Sequence, residues 1–103
     1  MLLRYAQDIT VDGRQLFRVP SGWTLSAGAA FLCTSLTAWY GLRKIGRLEA
    51  GQLLVIQSAA GGVGLAATEI ALHMRAVPLC IVGSEAKVDV VLKRWLPVCS
   101  NVH

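Results

Sequence analysis

Between residues 59 and 64 the chain reads Ala59-Ala60-Gly61-Gly62-Val63-Gly64. A run of such small residues can meet three demands at once: a tight turn out of a strand, close approach of main-chain N–H groups to a pyrophosphate, and close packing of a helix on a strand. Against the pattern G-x-G-x-x-G, Ala59 replaces the first glycine, and Gly61 and Gly64 supply the other two. In that frame Gly61 lets the backbone approach the phosphates and Gly64 lets the next helix lie against Leu53 to Ile56. The helix N-terminus places its partial positive charge on the anion. The alternative for any glycine-rich turn is a plain structural connector. No Lys-Ser or Lys-Thr follows Gly64, which excludes a triphosphate-binding loop of the G-x-x-x-x-G-K-[ST] type and favours a dinucleotide.

The elements around the turn suit that chemistry. Leu53-Leu54-Val55-Ile56 is a continuous apolar run, as expected of a parallel strand covered on both faces. Leu65 to Met74 is rich in alanine and leucine and predicts a helix. A second apolar run, Leu79 to Val82, ends at Gly83-Ser84, and Glu85 to Trp95 predicts another helix. The order strand, helix, strand, helix implies an α/β unit with a parallel crossover. The end of the second strand selects the dinucleotide, because an acid there would bind the adenosine ribose and repel a 2′-phosphate. Gly83-Ser84 stand in that place, and Ser84 and Lys87 offer a donor and a cation, so NADPH is favoured over NADH. Glu85 opposes this, and a solvated Lys87 in the first turn of a helix is the alternative.

Upstream, the chain alternates polar and apolar residues as far as the turn dipeptide Asp12-Gly13. Gln15 to Val19 reads as a short strand stopped by Pro20. Pro20-Ser21-Gly22 is a connector, and Thr24 or Ser26 can cap a helix beginning near Leu25. A second helix is expected from about Ser35 to Ile45, with Leu36, Trp39, Tyr40 and Arg43 at three-to-four spacing and Gly46 placed to end it. Glu49-Ala50-Gly51 is a turn.

Composition narrows the function classes. The hydrophobic fraction is 54% over 103 residues, with a mean hydropathy of +0.54. That suggests elements meant to be covered on more than one side. Val19 to Leu42 carries no charge, yet it holds Pro20, three glycines and several hydroxyls, which argue against a membrane span. Net charge is +4, but the basic residues are scattered and not interleaved with aromatics, so no nucleic-acid partner is indicated. Cys33, Cys80 and Cys99 are too few and too widely spaced for a disulfide framework or zinc site, and are expected to be buried thiols. Met1 to Asp8 has no apolar signal core, leaving a cytoplasmic address as the expectation.

Leu36-Thr37-Ala38-Trp39-Tyr40, Gly46 to Gly51, Ser58 to Gly64 and Val82-Gly83-Ser84-Glu85-Ala86-Lys87, in this order, resemble the zinc-independent medium-chain reductases. Within that group they are most like the enoyl reductase domains of polyketide and fatty acid synthases, then the quinone oxidoreductases. The resemblance covers roughly residues 15 to 95. It implies the N-terminal half of a Rossmann domain, a doubly wound parallel sheet, over residues 25–103. A short remnant of the GroES-like catalytic domain and a connector would occupy residues 1–24. It implies that Gly61, Gly62 and Val63 meet the pyrophosphate through main-chain groups, with Ala60 and Gly64 completing the turn. Ser84 and Lys87 would then meet the 2′-phosphate and Thr37 the nicotinamide end. The alternative for Thr37 is a hydroxyl bonded back to its own helix. In the family a hydride passes to the β-carbon of an α,β-unsaturated thioester or ketone and the enolate is then protonated. The implied partners are a small-molecule or carrier-bound thioester and the rest of a multidomain synthase.

The chain departs from the family pattern in ways that matter. The expectation is a fragment with no catalytic residue or metal ligand of its own, and the alternative is a non-catalytic piece that needs a partner or missing sequence to fold. Arg75 stands where the family ends the helix with glycine, so a left-handed cap there would be strained. Pro78 falls at the start of the second strand and removes one ladder donor. His73 is expected to be a surface or packing residue. Leu96 to His103 is expected to be a frayed end, with no role for His103.

Overall fold

In a computed structural model describing residues 5–94, two parallel strands carry three helices on one face. Strand β1 (Leu53–Gln57) pairs with β2 (Val77–Ile81), Leu53 opposite Val77 and Gln57 opposite Ile81. Helix α1 (Leu25–Trp39) precedes the sheet, α2 (Gly62–His73) connects the strands, and α3 (Glu85–Arg94) follows β2. The expected frayed tail, with Cys99 and His103, lies outside the described residues.

Thr24 caps α1, its hydroxyl accepting from the Ala27 N–H at 3.1 Å. The two helices expected between Leu25 and Ile45 are one. The α-helix passes without a break into a π-helical turn, Tyr40–Ile45, because no residue between them forces the backbone out of the helical region. The rod stops at Gly46, but the left-handed residue after it is Arg47 (φ 47°). This 21-residue stretch is long and apolar enough to cross a membrane by length and composition; its Leu25–Trp39 part contacts α2, and Ala38 is its one buried residue. The strand expected over Gln15 to Val19 does not form: Gly13–Gln15 is a 3₁₀ turn instead. Asp12 caps that turn and pairs with Arg14 at 2.6 Å. Arg14, through its guanidinium and then its N–H, holds the Asp12 carboxyl below its ordinary range.

One core cluster joins Ala38 of α1, Ile56 of β1, Ala59, Ala67 of α2, Cys80 of β2 and Val91 of α3. A second, of Leu48, Ala71 and Ala76, closes the other end. Ile56, Pro78 and Cys80 are buried, so the helices cover the face that carries them. The opposite face is open, with Leu53 65%, Val55 56% and Val77 41% exposed. The apolar run predicted cover on both faces, and the described residues provide it on one. Pro78 is the second residue of β2, not the first, and it is fully buried. It is tolerated because Val77 donates to Gln52 at 2.8 Å, so the alternate residue 78 would direct its missing N–H away from β1.

Helix α2 ends as its sequence forewarns. The Ala76 N–H donates to Ala71 at 2.9 Å and the Arg75 N–H to Leu72 at 3.0 Å, a Schellman pair with Arg75 at φ 59° where glycine is favoured. The Arg75 carbonyl then accepts from the Gly51 N–H at 2.9 Å, and Gly51 itself turns at φ 82°. This fastens the turn ahead of β1 to the end of α2.

Candidate dinucleotide site

The site begins where β1 stops. Ser58 adopts φ 56°, a left-handed conformation unusual for a residue with a Cβ. The Ala59 N–H still reaches the Ile81 carbonyl at 3.1 Å, and Ala59 is wholly buried. The Ser58 carbonyl accepts from the Gly61 N–H at 2.9 Å, and the first bond into α2 runs from Leu65 to Gly61 at 2.8 Å. Gly61 is the N-cap and has no side chain with which to satisfy the helix end. Among the described residues, the amides of Gly62, Val63 and Gly64 therefore meet no acceptor. The Gly61 amide, expected on the pyrophosphate, donates to the Ser58 carbonyl, which leaves the amides of Gly62, Val63 and Gly64 as the open donors of the turn among the described residues.

A Cβ on Gly64 would sit 2.5 Å from the Ser58 carbonyl oxygen and 2.7 Å from the Ala59 Cα, so the close approach at this glycine is to the turn, while Ala67 farther along α2 packs in one cluster with Ile56 of β1. At Gly62 a Cβ would meet Thr34 Cγ2 at 2.9 Å, which shows that this glycine also seats α1 on the start of α2. Half-buried Ala60 completes the turn. Neither the Ser58 conformation nor the Thr34 contact had a signal in the sequence: the first is a backbone property and the second joins residues 28 positions apart.

Ser84 and Lys87 lie at the start of α3, both exposed, with the Lys87 N–H donating to the Ser84 carbonyl at 3.1 Å. Because β1 and β2 are parallel and Gln57 is level with Ile81, the glycine turn and the Ser84 turn leave the sheet at the same end. Among the described residues the one ion pair is Asp12 with Arg14, so Glu85 does not hold Lys87.

Thr37 is not brought to this group. Its hydroxyl donates to the Cys33 carbonyl at 2.7 Å, the back-bonded alternative. It lines a separate cleft of about 630 Å³ with Leu36, Trp39, Tyr40, Gly41 and Ile45. A second cleft, of about 580 Å³, lies between α1 and α2 and includes Trp23, Phe31, Thr34, Gly62, Leu65 and Glu69. His73 bonds back to the Glu69 carbonyl at 3.2 Å and is exposed. Cys80 is buried beside Thr68, but Cys33 is exposed, which corrects the expectation of buried thiols. No group of three or more metal-ligating side chains occurs among the described residues.

Comparison with known proteins bears on the family and the fold. No protein-family model matches the chain. It is 44% identical over 69 residues to the pikromycin polyketide synthase component PikAII of Streptomyces venezuelae, a match covering 67% of this chain and 2% of that protein. It is 41% identical over 85 residues to a mycocerosic acid synthase-like polyketide synthase of Mycobacterium tuberculosis, covering 82% and 4%. The enoyl reductase CurK superimposes with a TM-score of 0.75 at 30% identity, over 82% of this chain and 25% of CurK. The nucleotide-binding subdomain of the enoylreductase domain of PpsC from Mycobacterium tuberculosis gives 0.59 at 37%, over 66% and 38%. Mycobacterial Rv1454c complexed with NADPH gives 0.73 at 27%, over 82% and 26%. The chain thus spans a small part of every one of these proteins. Its structural neighbours are enoyl reductase domains of polyketide synthases and quinone oxidoreductases, the reductases its motifs resemble. Its α/β fold is that of their nucleotide-binding portion.

Proposed function

We propose that this relative of polyketide synthase enoyl reductases supplies the phosphate-binding half of an NADPH site, in a reductase that acts on the C=C bond of α,β-unsaturated thioesters, or on quinones and enones. The observation that carries the reading is the set of Gly62, Val63 and Gly64 amides at the start of α2, unbonded among the described residues and beside the Ser84 turn. Donors converging on the positive end of a helix fit a pyrophosphate. In this reading Gly61 and Ala60 keep the turn thin, and Ser84 and Lys87 meet the 2′-phosphate. When bound, the reduced nicotinamide supplies the hydride. This chain's residues bind and orient its phosphates, and none of them is assigned to catalysis. Thr37 would reach the nicotinamide end only by giving up its bond to Cys33.

On the same reading residues 1–24 are the end of a catalytic domain and a connector, and residues 25–103 the first half of the Rossmann domain. The partners are a small-molecule or carrier-bound thioester and the other domains of a synthase, in the cytoplasm, with neither membrane nor nucleic acid. Titrating the purified chain with NADPH and NADH, followed by nicotinamide fluorescence, tests it: saturation with preference for NADPH is expected. A chain that binds neither cofactor while folded would sink the proposal.

A second reading, a non-catalytic piece that needs other sequence to fold, is favoured by the bare sheet face at Leu53, Val55 and Val77. It predicts aggregation and no saturable NADPH binding by the isolated chain.

A further inference from the structure

The end of β1 is one residue out of step with β2. The register sets Leu53 opposite Val77 and Gln57 opposite Ile81, and Val77 donates to Gln52. Continued along the parallel pair, that alternation brings the Ser58 N–H to the Ile81 carbonyl. The Ala59 N–H takes that place instead, at 3.1 Å. Ser58 is thus an extra residue between strand and turn, and its φ of 56° absorbs the step. The peptide unit that follows is held at both ends. Its N–H, on Ala59, reaches β2, and its C=O, on Ser58, accepts from the Gly61 N–H at 2.9 Å. Ala59 is wholly buried, and a Cβ on Gly64 would stand 2.5 Å from the same Ser58 oxygen, so this one unit also limits how closely α2 approaches the end of the sheet.

We infer that Ser58 is the positioning residue of the phosphate turn, acting through its backbone and not through its hydroxyl. Its left-handed conformation sets the Ser58–Ala59 peptide unit across the turn and ties up the Gly61 amide. The Gly62, Val63 and Gly64 amides are left as the open donors, fastened to β2 through Ile81. The inference rests on the reading of that turn as a pyrophosphate site, since only a ligand there gives the donors something to meet. Ser84 and Lys87 make no hydrogen bond with Ser58, so Ser58 bears on affinity for either dinucleotide and not on the choice between them.

Three substitutions in the 103-residue chain separate backbone from side chain. Ser58→Ala removes the hydroxyl, and Ser58→Asn enlarges a side chain that is still at ease in the left-handed region. Both are expected to bind NADPH as the unaltered chain does. Ser58→Thr keeps the hydroxyl and is close to asparagine in size, but a β-branched residue is an outlier at positive φ. With the competent turn populated about one time in ten, its dissociation constants for NADPH and NADH should both rise about tenfold, with the preference between them unchanged. Amide exchange of the unaltered chain reads the turn with neither variant nor cofactor: the Ala59 and Gly61 amides should be protected, and those of Gly62, Val63 and Gly64 fast. If the folded chain binds neither cofactor, the phosphate reading fails, while the exchange pattern still tells whether Ser58 holds the turn. A Gly61 amide that exchanges as fast as that of Gly62, a loss of affinity in Ser58→Ala, or Ser58→Thr binding as tightly as Ser58→Asn would overturn the inference.

Discussion

Arg75 carries a cost that a single substitution can remove. Its φ of 59° is a conformation glycine adopts freely and a residue with a Cβ does not, and its side chain is exposed. Arg75→Gly is therefore expected to raise stability by about 1 kcal/mol, read from urea unfolding; an unchanged or lower midpoint would show that the left-handed cap is not strained. The glycines of the turn separate packing from binding. A Cβ on Gly64 meets backbone at 2.5 and 2.7 Å, whereas on Gly61 its nearest atom is the Ser58 oxygen at 3.2 Å. Gly64→Ala should cost roughly 1 to 3 kcal/mol of stability. Gly61→Val should cost less stability but block phosphate approach, so NADPH affinity unchanged in a folded Gly61→Val chain would refute the turn's role. Arg75 and Gly64 were legible because both are statements about local backbone demand. The diversion of the Gly61 amide to Ser58 was not, because nothing in a serine announces a left-handed φ.

Among the elements, β1, β2, α2 and α3 were all visible as apolar runs and helix-forming stretches separated by glycine turns. The single rod from Leu25 to Ile45 was read as two helices because Ser26 to Ala30 are all small and offer no periodic large side chain to carry the pattern of Leu36, Trp39 and Tyr40 back to the start of the helix. The strand expected near Gln15 failed for a different reason: alternation describes a strand only where a partner exists, and that stretch pairs with no strand among the described residues. Seating α1 on α2 depends on Gly62 and Thr34, which the sequence could not pair. Thr34 keeps its hydroxyl on the Ala30 carbonyl at 3.0 Å and points Cγ2 at Gly62. Gly62→Ala should destabilise by about 1 kcal/mol through overpacking, and Thr34→Ser, which drops the methyl and keeps the hydroxyl, should recover most of it. Purely additive effects in that double-mutant cycle would show that the two helices do not meet there.

For the whole molecule, the question is whether the two turns at one end of the sheet act as one site. If they do, cofactor binding and fold stability are linked, because a ligand held by both turns stabilises only the folded chain. At 100 times its dissociation constant such a ligand adds about 2.7 kcal/mol. For a domain of this size that is a rise in melting temperature of roughly 10 to 20 °C, at about 4 to 8 °C per kcal/mol. Lys87→Ala should lower NADPH affinity by about 1 to 2 kcal/mol, the worth of a charge-assisted contact, and leave NADH little changed. The melting gain from NADPH, at fixed concentrations of ligand and chain, should then shrink towards that from NADH. Equal losses for the two cofactors would remove Lys87 from the site while leaving the Gly62 to Gly64 amides in it. The salt dependence of binding separates the parts further, since an exposed lysine is screened by added salt more than main-chain donors set into a turn. NADPH affinity should therefore fall with ionic strength in the unaltered chain, and fall less steeply in Lys87→Ala.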